Sequence, residues 1–92
     1  MEIIWTAEAV ATYFDSLDFI LEKWSINVAE DFEAEVLHVL NLLSSKTKIF
    51  SESKQKGFHK AVISKQTSLV YQVTAKQIIL VAFIDNRSDN KY

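Results

Sequence analysis

The sequence predicts an α+β domain with the element order β-α-α-β-β-β, in which a helical hairpin packs on a small antiparallel sheet. Three observations support this fold class. Apolar residues recur at three- and four-residue steps through residues 7–43, as they do in amphipathic helices. From residue 58 onward, apolar and polar residues alternate, which is typical of strands. The length of 92 residues suits one small domain, which we expect to span residues 1–92.

A short strand and two helices are predicted for the first half of the chain. Residues 2–5, Glu-Ile-Ile-Trp, are apolar and partly β-branched, and Thr6 is placed to cap a first helix over residues 7–24. Ser25 and Asn27 can each cap a second helix, and Asn27 has a glutamate at the capping-box spacing. Helices joined by only two or three residues must lie antiparallel, as a hairpin.

A polar loop and three strands are predicted for the second half. The stretch "SSKTKIFSESKQKG", residues 44–57, has no periodicity and ends in Gly57, the only glycine of the chain. Strands are predicted for residues 58–64, 69–74 and 78–84. The intervening "TAKQ" is the hairpin turn that joins the last two strands.

The last predicted strand is apolar on both faces, although a strand covered by helices on one side only should alternate. A two-helix hairpin can cover one face of a four-stranded sheet. Either this strand is central in the sheet and partly covered on its second face, or something else covers that face. Its second face is expected to be covered either by a protein partner or by long side chains such as Lys60.

The composition argues against several classes of protein. No apolar run approaches the roughly 18 residues of a membrane span, and the N-terminus lacks the basic flank of a signal peptide, so we expect a soluble, cytoplasmic protein. The chain has no cysteine, and its single glycine argues against glycine-rich phosphate loops. His38 and His59 have no carboxylate or cysteine at ligand spacing, so neither a metal nor a cofactor is expected, and His38 is predicted to lie on a helix surface.

The net charge of −2 conceals two halves of opposite sign. Residues 1–43 hold nine acidic side chains and one lysine, a net charge of −8. Residues 44–92 hold nine basic and three acidic side chains, a net charge of +6. The basic half can attract phosphate or an acidic partner, or the two halves can attract each other within the fold.

Basic side chains of the loop and the predicted sheet are the remaining candidates for a site. Loop lysines commonly serve only to keep a protein soluble. Histidine and arginine at strand ends, in contrast, can bind a phosphate and transfer a proton. The set comprises Lys46, Lys48, Lys54, Lys56, His59, Lys60, Lys65 and Arg87.

Three stretches together resemble a known family: "IIWTAEAVATYFDSLDFILEKWS", "LVYQV" and "VAFIDNRSDN". In this order the chain resembles the RelE/ParE superfamily, the toxins of type II toxin–antitoxin modules, also described as plasmid stabilisation proteins. The resemblance extends over essentially the whole chain. It implies a small cytoplasmic toxin that is neutralised by a cognate antitoxin, whose disordered or helical segment wraps partly over the sheet and the helices.

The resemblance also implies two classes of target. RelE-like members cut mRNA in the ribosome with arginines and lysines on the sheet, whereas ParE-like members poison DNA gyrase and lack that set. Arg87 falls on the family's arginine just after the last strand, and His59 lies near a basic residue of the second strand. Ser68 and Ala61, however, stand where the nucleases carry cations, and Tyr92 matches their C-terminal tyrosine only loosely.

We therefore expect a toxin that is ParE-like or of unknown target. The alternatives are a ribosome-dependent mRNA endonuclease with an atypical active site and a non-toxic protein-binding module. In a nuclease, Arg87 would stabilise the transition state and His59 would transfer the proton. The candidate catalytic residues are Arg87, His59 and Lys60, and the candidate RNA-binding residues are Lys54, Lys56 and Lys65. Residues 88–92 could alternatively be a solvated tail.

Overall fold

The computed structural model describes residues 1–45, 50–88 and 90–92. Two of the basic candidates, Lys46 and Lys48, lie outside the described residues. The predicted order of elements, β-α-α-β-β-β, is confirmed. The elements are β1 (Glu2–Trp5), α1 (Ala7–Lys23), α2 (Ile26–Ser44), β2 (His59–Val62), β3 (Thr67–Val73) and β4 (Gln77–Asp85).

Hydroxyl side chains begin both helices. The Thr6 Oγ1 accepts a hydrogen bond from the Ala9 amide at 3.1 Å, as predicted for an N-cap. Ser25 rather than Asn27 caps α2, and its Oγ accepts a hydrogen bond from the Val28 amide at 3.3 Å. Only two residues separate the helices, so α1 and α2 form the predicted hairpin.

The sheet has the strand order β1-β4-β3-β2, which makes β4 one of its two central strands, the first of the two alternatives. β2, β3 and β4 form an antiparallel meander, whereas β1 runs parallel to β4. The sheet is therefore mixed rather than wholly antiparallel. Short turns force neighbouring strands to be antiparallel, but β1 and β4 are separated by almost the whole chain, and their connection imposes no direction.

The main core lies between the helices and one face of the sheet. It is centred on four aromatic rings, those of Trp5, Tyr13, Phe32 and Phe83, whose contacting centroids lie 5.4–6.5 Å apart. Aromatic pairs at this separation contribute beyond the area that they bury. The core further contains buried aliphatic residues of every element except β1.

Two threonines attach α1 to the central strand. The pairing of β3 with β4 shifts at Val81, which the register leaves without a partner on β3. Nearby, the Thr12 Oγ1 accepts a hydrogen bond from the Phe83 amide at 2.9 Å. The Thr6 hydroxyl donates to the Leu80 carbonyl at 2.8 Å. Side chains of the helix therefore satisfy backbone groups of β4 on both sides of the shift.

The chain after β4 folds back along the sheet. β4 and β2 finish at the same end of the sheet along the strand direction. Lys54 precedes β2 and therefore lies near the opposite end. The Tyr92 carbonyl nevertheless accepts a hydrogen bond from the Lys54 amide at 3.4 Å, and the Tyr92 ring lies 5.3 Å from the Phe58 ring. Residues 86–88 thus lie at one end of the sheet, and residues 90–92 end near the other.

This return covers part of the face that the helices leave open. Val70 and Ala82 are buried, but neither belongs to the core beneath the helices. Tyr92 is also buried, with 8% of its surface exposed. The segment that could have been a solvated tail is therefore packed at its end, and it supplies cover that we had expected from a partner or from Lys60.

Candidate functional site

Arg87 lies just beyond the central strand, where its side chain is held by a neighbour. Its Nε and Nη2 donate to the two carboxylate oxygens of Asp85 at 3.1 and 3.0 Å. The Arg87 amide donates to the same carboxylate at 2.8 Å. The guanidinium carbon lies 5.8 Å from the centre of the Phe19 ring on α1. The arginine is therefore positioned by a carboxylate and an aromatic ring, and its side chain remains 56% exposed.

The charges of Asp85 and Arg87 compensate each other. The hydrogen bonds from Arg87 hold the pKa of Asp85 below its usual range, and the same bonds to Asp85 raise the pKa of Arg87. A phosphate that approaches this guanidinium must compete with a carboxylate already in a two-point arrangement. Exposed ion pairs are weak, so such competition is feasible but works against phosphate binding.

A cavity of about 270 Å³ lies beside this pair, between α1 and the end of β4. Two carboxylates, Asp15 and Asp85, line it together with the single cation Arg87. The hydroxyls of Thr12 and Ser16 donate to carbonyls of their own helix at 2.7 and 2.9 Å. The lining is thus acidic on balance, which does not suit a bound phosphate.

The Ser68 side chain is buried and hydrogen-bonded, so its position is not an open site for a cation. It is fully buried, and its Oγ donates to the Asn86 Oδ1 at 2.6 Å. The Asn86 amide nitrogen in turn donates to the carbonyls of Ser64 and Lys65 at 3.3 and 3.4 Å. This network ties the end of β4 to the β2–β3 turn, and it leaves no room for the arginine that RelE-like nucleases carry here.

Ala61 is likewise buried, and it belongs to the core beneath the helices. A lysine at this position would place its stem among apolar side chains and would have to bring its ammonium group out of the core. The neighbouring Lys60 points to the opposite face of the sheet, because successive residues of a strand alternate.

His59 stabilises the loop before β2. Its ring stacks on Tyr71 with centroids 5.3 Å apart, and its Nδ1 lies 2.9 Å from the Phe50 carbonyl oxygen. The Tyr71 hydroxyl accepts a hydrogen bond from the Phe50 amide, also at 2.9 Å. Burial raises the pKa of Tyr71. Both polar backbone groups of Phe50 are therefore held by aromatic side chains.

The structure divides the candidate residues between two ends of the sheet. His59 pairs with Tyr71, which in turn pairs with Leu80, so His59 lies at the end of the sheet where β2 begins. The loop that contains Lys54 and Lys56 lies at the same end. Arg87 follows β4 at the other end; the strand from Leu80 to Asp85 alone is about 16 Å long at 3.3 Å per residue. Proton transfer in catalysis requires contact at hydrogen-bond distance.

Among the candidate cations that the structure describes, Lys65 alone shares the end at which Arg87 lies, and it is exposed in the β2–β3 turn. The predicted catalytic residues Arg87, His59 and Lys60 are consequently not brought together. Two residues that position Arg87, Asp85 and Phe19, were missed from the sequence. Asp85 lies two positions before Arg87 in "DNR", so the local sequence did contain that signal.

An apolar surface remains uncovered on the helical hairpin. We call it the hairpin patch; its residues expose between 41% and 66% of their surface and are Val10, Phe14, Leu21, Ile26 and Leu37. The first three each follow a core residue of α1 and are therefore rotated by about 100° from the buried face.

The two helices bring these residues side by side. Tyr13 contacts Phe32 and hydrogen-bonds Glu33 at 3.4 Å across the hairpin. Because the helices are antiparallel, Val10, one turn before Tyr13, lies level with Leu37, one turn after Glu33. Most of the unpartnered apolar surface is therefore on the helices, whereas on the sheet, where it had been expected, Val62 of β2 is 62% exposed.

Neither a metal site nor a membrane segment is found in the part of the chain that the structure describes. Its His, Asp and Glu side chains form no group of three or more that could hold a metal ion. No helix among the described residues is long and apolar enough to cross a membrane. His38 is exposed on α2, as predicted.

The fold is that of the RelE/ParE-type toxins. A chain of the chromosomal ParDE TA system from P. aeruginosa superposes with a TM-score of 0.75 at 16% identity, over 92% of this chain and 95% of that one. A copper-bound mutant toxin from Helicobacter pylori gives 0.69 at 19% identity, over 94% of each chain. A chain of the E. coli DinJ–YafQ complex gives 0.62 at 13% identity, over 91% of each.

At these identities the likeness is one of fold. No family model matches the sequence, and a search of curated proteins finds no significant match.

Proposed function

We propose that this protein is the toxin of a type II toxin–antitoxin module and that a cognate antitoxin neutralises it in the cytoplasm. The likeness to the ParDE chain, which extends over almost the whole of both chains, carries this proposal. A chain of the E. coli DinJ–YafQ complex has the same fold, so one structural neighbour is bound to a protein partner. The hairpin patch supports it, because exposed apolar surface of this extent is typical of a protein interface.

The direct action that we propose is ParE-like, on DNA gyrase or another target, and does not involve RNA cleavage. Its support is the placement of the basic residues. Arg87 is paired with Asp85, and His59 holds a loop at the opposite end of the sheet. Burial closes the positions of Ser68 and Ala61 to cations. Loss of one phosphate-stabilising group typically lowers the rate by about 10²–10³-fold.

Induction of the isolated chain in a bacterium tests both parts of the proposal. We expect growth arrest that is relieved by co-expression of the small reading frame next to the gene. We also expect damage to DNA, with mRNA in the ribosomal A site left intact. Arg87→Ala should remain toxic, because the proposed action does not use this side chain for chemistry. No growth defect at all would instead identify a non-toxic binding module.

The alternative function is ribosome-dependent mRNA cleavage. One observation favours it, namely that the Arg87 side chain is 56% exposed and is free to exchange Asp85 for a phosphate. In that case A-site cleavage would follow induction, and Arg87→Ala would abolish both cleavage and toxicity. That pair of results would refute the ParE-like action while leaving the toxin assignment intact.

A further inference from the structure

A second cavity, of about 420 Å³, lies between the end of α1, the start of α2 and the β2–β3 turn. Its floor consists of the buried side chains of Ile20, Phe32 and Ile63. Trp24 and Val28 also line it, with 47% and 39% of their surfaces exposed. The cavity is therefore an apolar depression with one large aromatic ring accessible from solvent.

Two carboxylates stand on one side of this cavity. Asp31 and Glu35 are four residues apart on α2, so they lie on the same side of the helix. Neither forms an ion pair with any residue of the described ranges 1–45, 50–88 and 90–92. Lys65 is the cation among the residues that line the cavity, and it belongs to the β2–β3 turn rather than to α2.

The surrounding surface has the same sign as these carboxylates. The segment from Ala7 to Ser44, which forms both helices, contains eight acidic side chains and one lysine, a net charge of −7. A partner that covers this surface at low cost should therefore be basic. An acidic or neutral partner would leave these carboxylates desolvated without compensation.

We propose that this cavity receives an arginine side chain from a basic amphipathic segment of the antitoxin. The inference rests on the proposed function for the existence of that partner. The aliphatic stem would lie on the apolar floor, and the guanidinium would reach Asp31 and Glu35 with several donors at once. The Trp24 ring, 47% exposed and packed against Phe19, adds an aromatic surface for a cation–π contact, which arginine uses better than lysine does.

The test uses synthetic peptides and the full chain. The probe is an 18-residue helical peptide with leucines on one face and two arginines beside them, and the matched peptide carries neutral citrulline in place of arginine. Fluorescence anisotropy should show about tenfold weaker binding of the citrulline peptide. The double variant Asp31→Asn with Glu35→Gln should lose this preference. Lys65→Ala should strengthen binding of the arginine peptide by removing a repelling charge.

The chain offers a matched control. Asp18 and Glu22 are exposed on α1 with the same four-residue spacing and do not line the cavity. Asp18→Asn with Glu22→Gln changes the net charge equally, and it should retain the arginine preference. Equal losses in both double variants would overturn the inference in favour of general attraction, and so would a parent protein that does not distinguish the two peptides.

A second copy of the chain is the other occupant to be tested, because residues 44–92 are basic. Light scattering of the purified protein decides this point. Self-association that Asp31→Asn with Glu35→Gln abolishes would overturn the assignment to an antitoxin, whereas a monomer supports it. These measurements do not depend on toxicity, so failure of the arginine preference and failure of the toxin proposal remain distinguishable.

Discussion

At the scale of single residues, the pair formed by Asp85 and Arg87 illustrates how a neighbour two positions away determines what a charged side chain can do. The Asp85 carboxylate accepts hydrogen bonds from Nε and Nη2 of the Arg87 guanidinium and from the Arg87 backbone amide. Such a pair is better suited to shaping the turn after β4 than to holding a free positive charge. An arginine that sequence resemblance marks as functional is thereby engaged within its own turn.

This pair should make stability depend on acid pH. Because the pKa of Asp85 is lowered by folding, the pair contributes stability above the unfolded-state pKa of the carboxyl and loses it as pH falls through the folded-state pKa. Arg87→Gln should therefore lower the free energy of unfolding at pH 7 but not at acid pH. Urea titrations at the two pH values measure this difference. An equal loss at both would show that the ion pair is not responsible.

At the scale of elements, the α1–β4 contact depends on Thr12, whose hydroxyl accepts a hydrogen bond from the Phe83 amide at 2.9 Å. Thr12→Val keeps the shape of the side chain but leaves that amide without its partner. We expect a loss of about 1–3 kcal/mol in the free energy of unfolding. Thr12→Ser keeps the hydroxyl and should lose much less in the same denaturant titration. Equal losses would assign the effect to packing.

The return of the C-terminal segment makes a second prediction at this scale. Tyr92 is buried and its ring contacts Phe58, so Tyr92→Ala should cost about 2 kcal/mol and should expose part of the open sheet face. Lys91→Ala removes only the exposed ammonium group that lies 5.3 Å from the centre of the Tyr92 ring, and it should cost less, about 0.5–1 kcal/mol. Thermal unfolding measures both. Two variants as stable as the parent would mean that the segment contributes no cover in solution.

The elements also show where sequence reasoning succeeds and where it fails. The helices, their caps and the alternation of β2 are local patterns, and they were predicted to within a few residues. The parallel pairing of β1 with β4 and the return of Tyr92 to Lys54 join residues that are far apart in sequence, so no local pattern encodes them. The same limit applies to the site. Ser68 was noted as a missing cation, but its burial against Asn86 became visible only in the folded chain.

At the scale of the whole molecule, the described residues of the two oppositely charged halves form no ion pair with each other. Among the described residues the ion pair is Asp85 with Arg87, and both of these belong to the second half of the chain. The acidic hairpin therefore keeps its charge available for a partner. The charge asymmetry was explained either by attraction between the two halves or by attraction of an external partner. The described contacts favour the external partner.

The whole fold should also respond to alkaline pH. Burial raises the pKa of Tyr13 and of Tyr71, and the charge of Glu33 adds to the effect at Tyr13. A raised folded-state pKa contributes stability that is complete below the unfolded value of about 10 and is lost as pH rises further. The melting temperature should fall above pH 10. Tyr13→Phe should make that fall shallower, and parallel curves for the two proteins would contradict this account.

The pairing of the first strand with the last has a consequence for synthesis. Glu2 pairs with Gln77, and β4, one of the two central strands, is the last of the four strands in chain order. Until β4 has emerged from the ribosome, β1 has no strand to pair with and the core beneath the helices is incomplete. A polypeptide that ends before β4 therefore lacks the only pairing partner of β1 and one of the two neighbours of β3 in the described sheet.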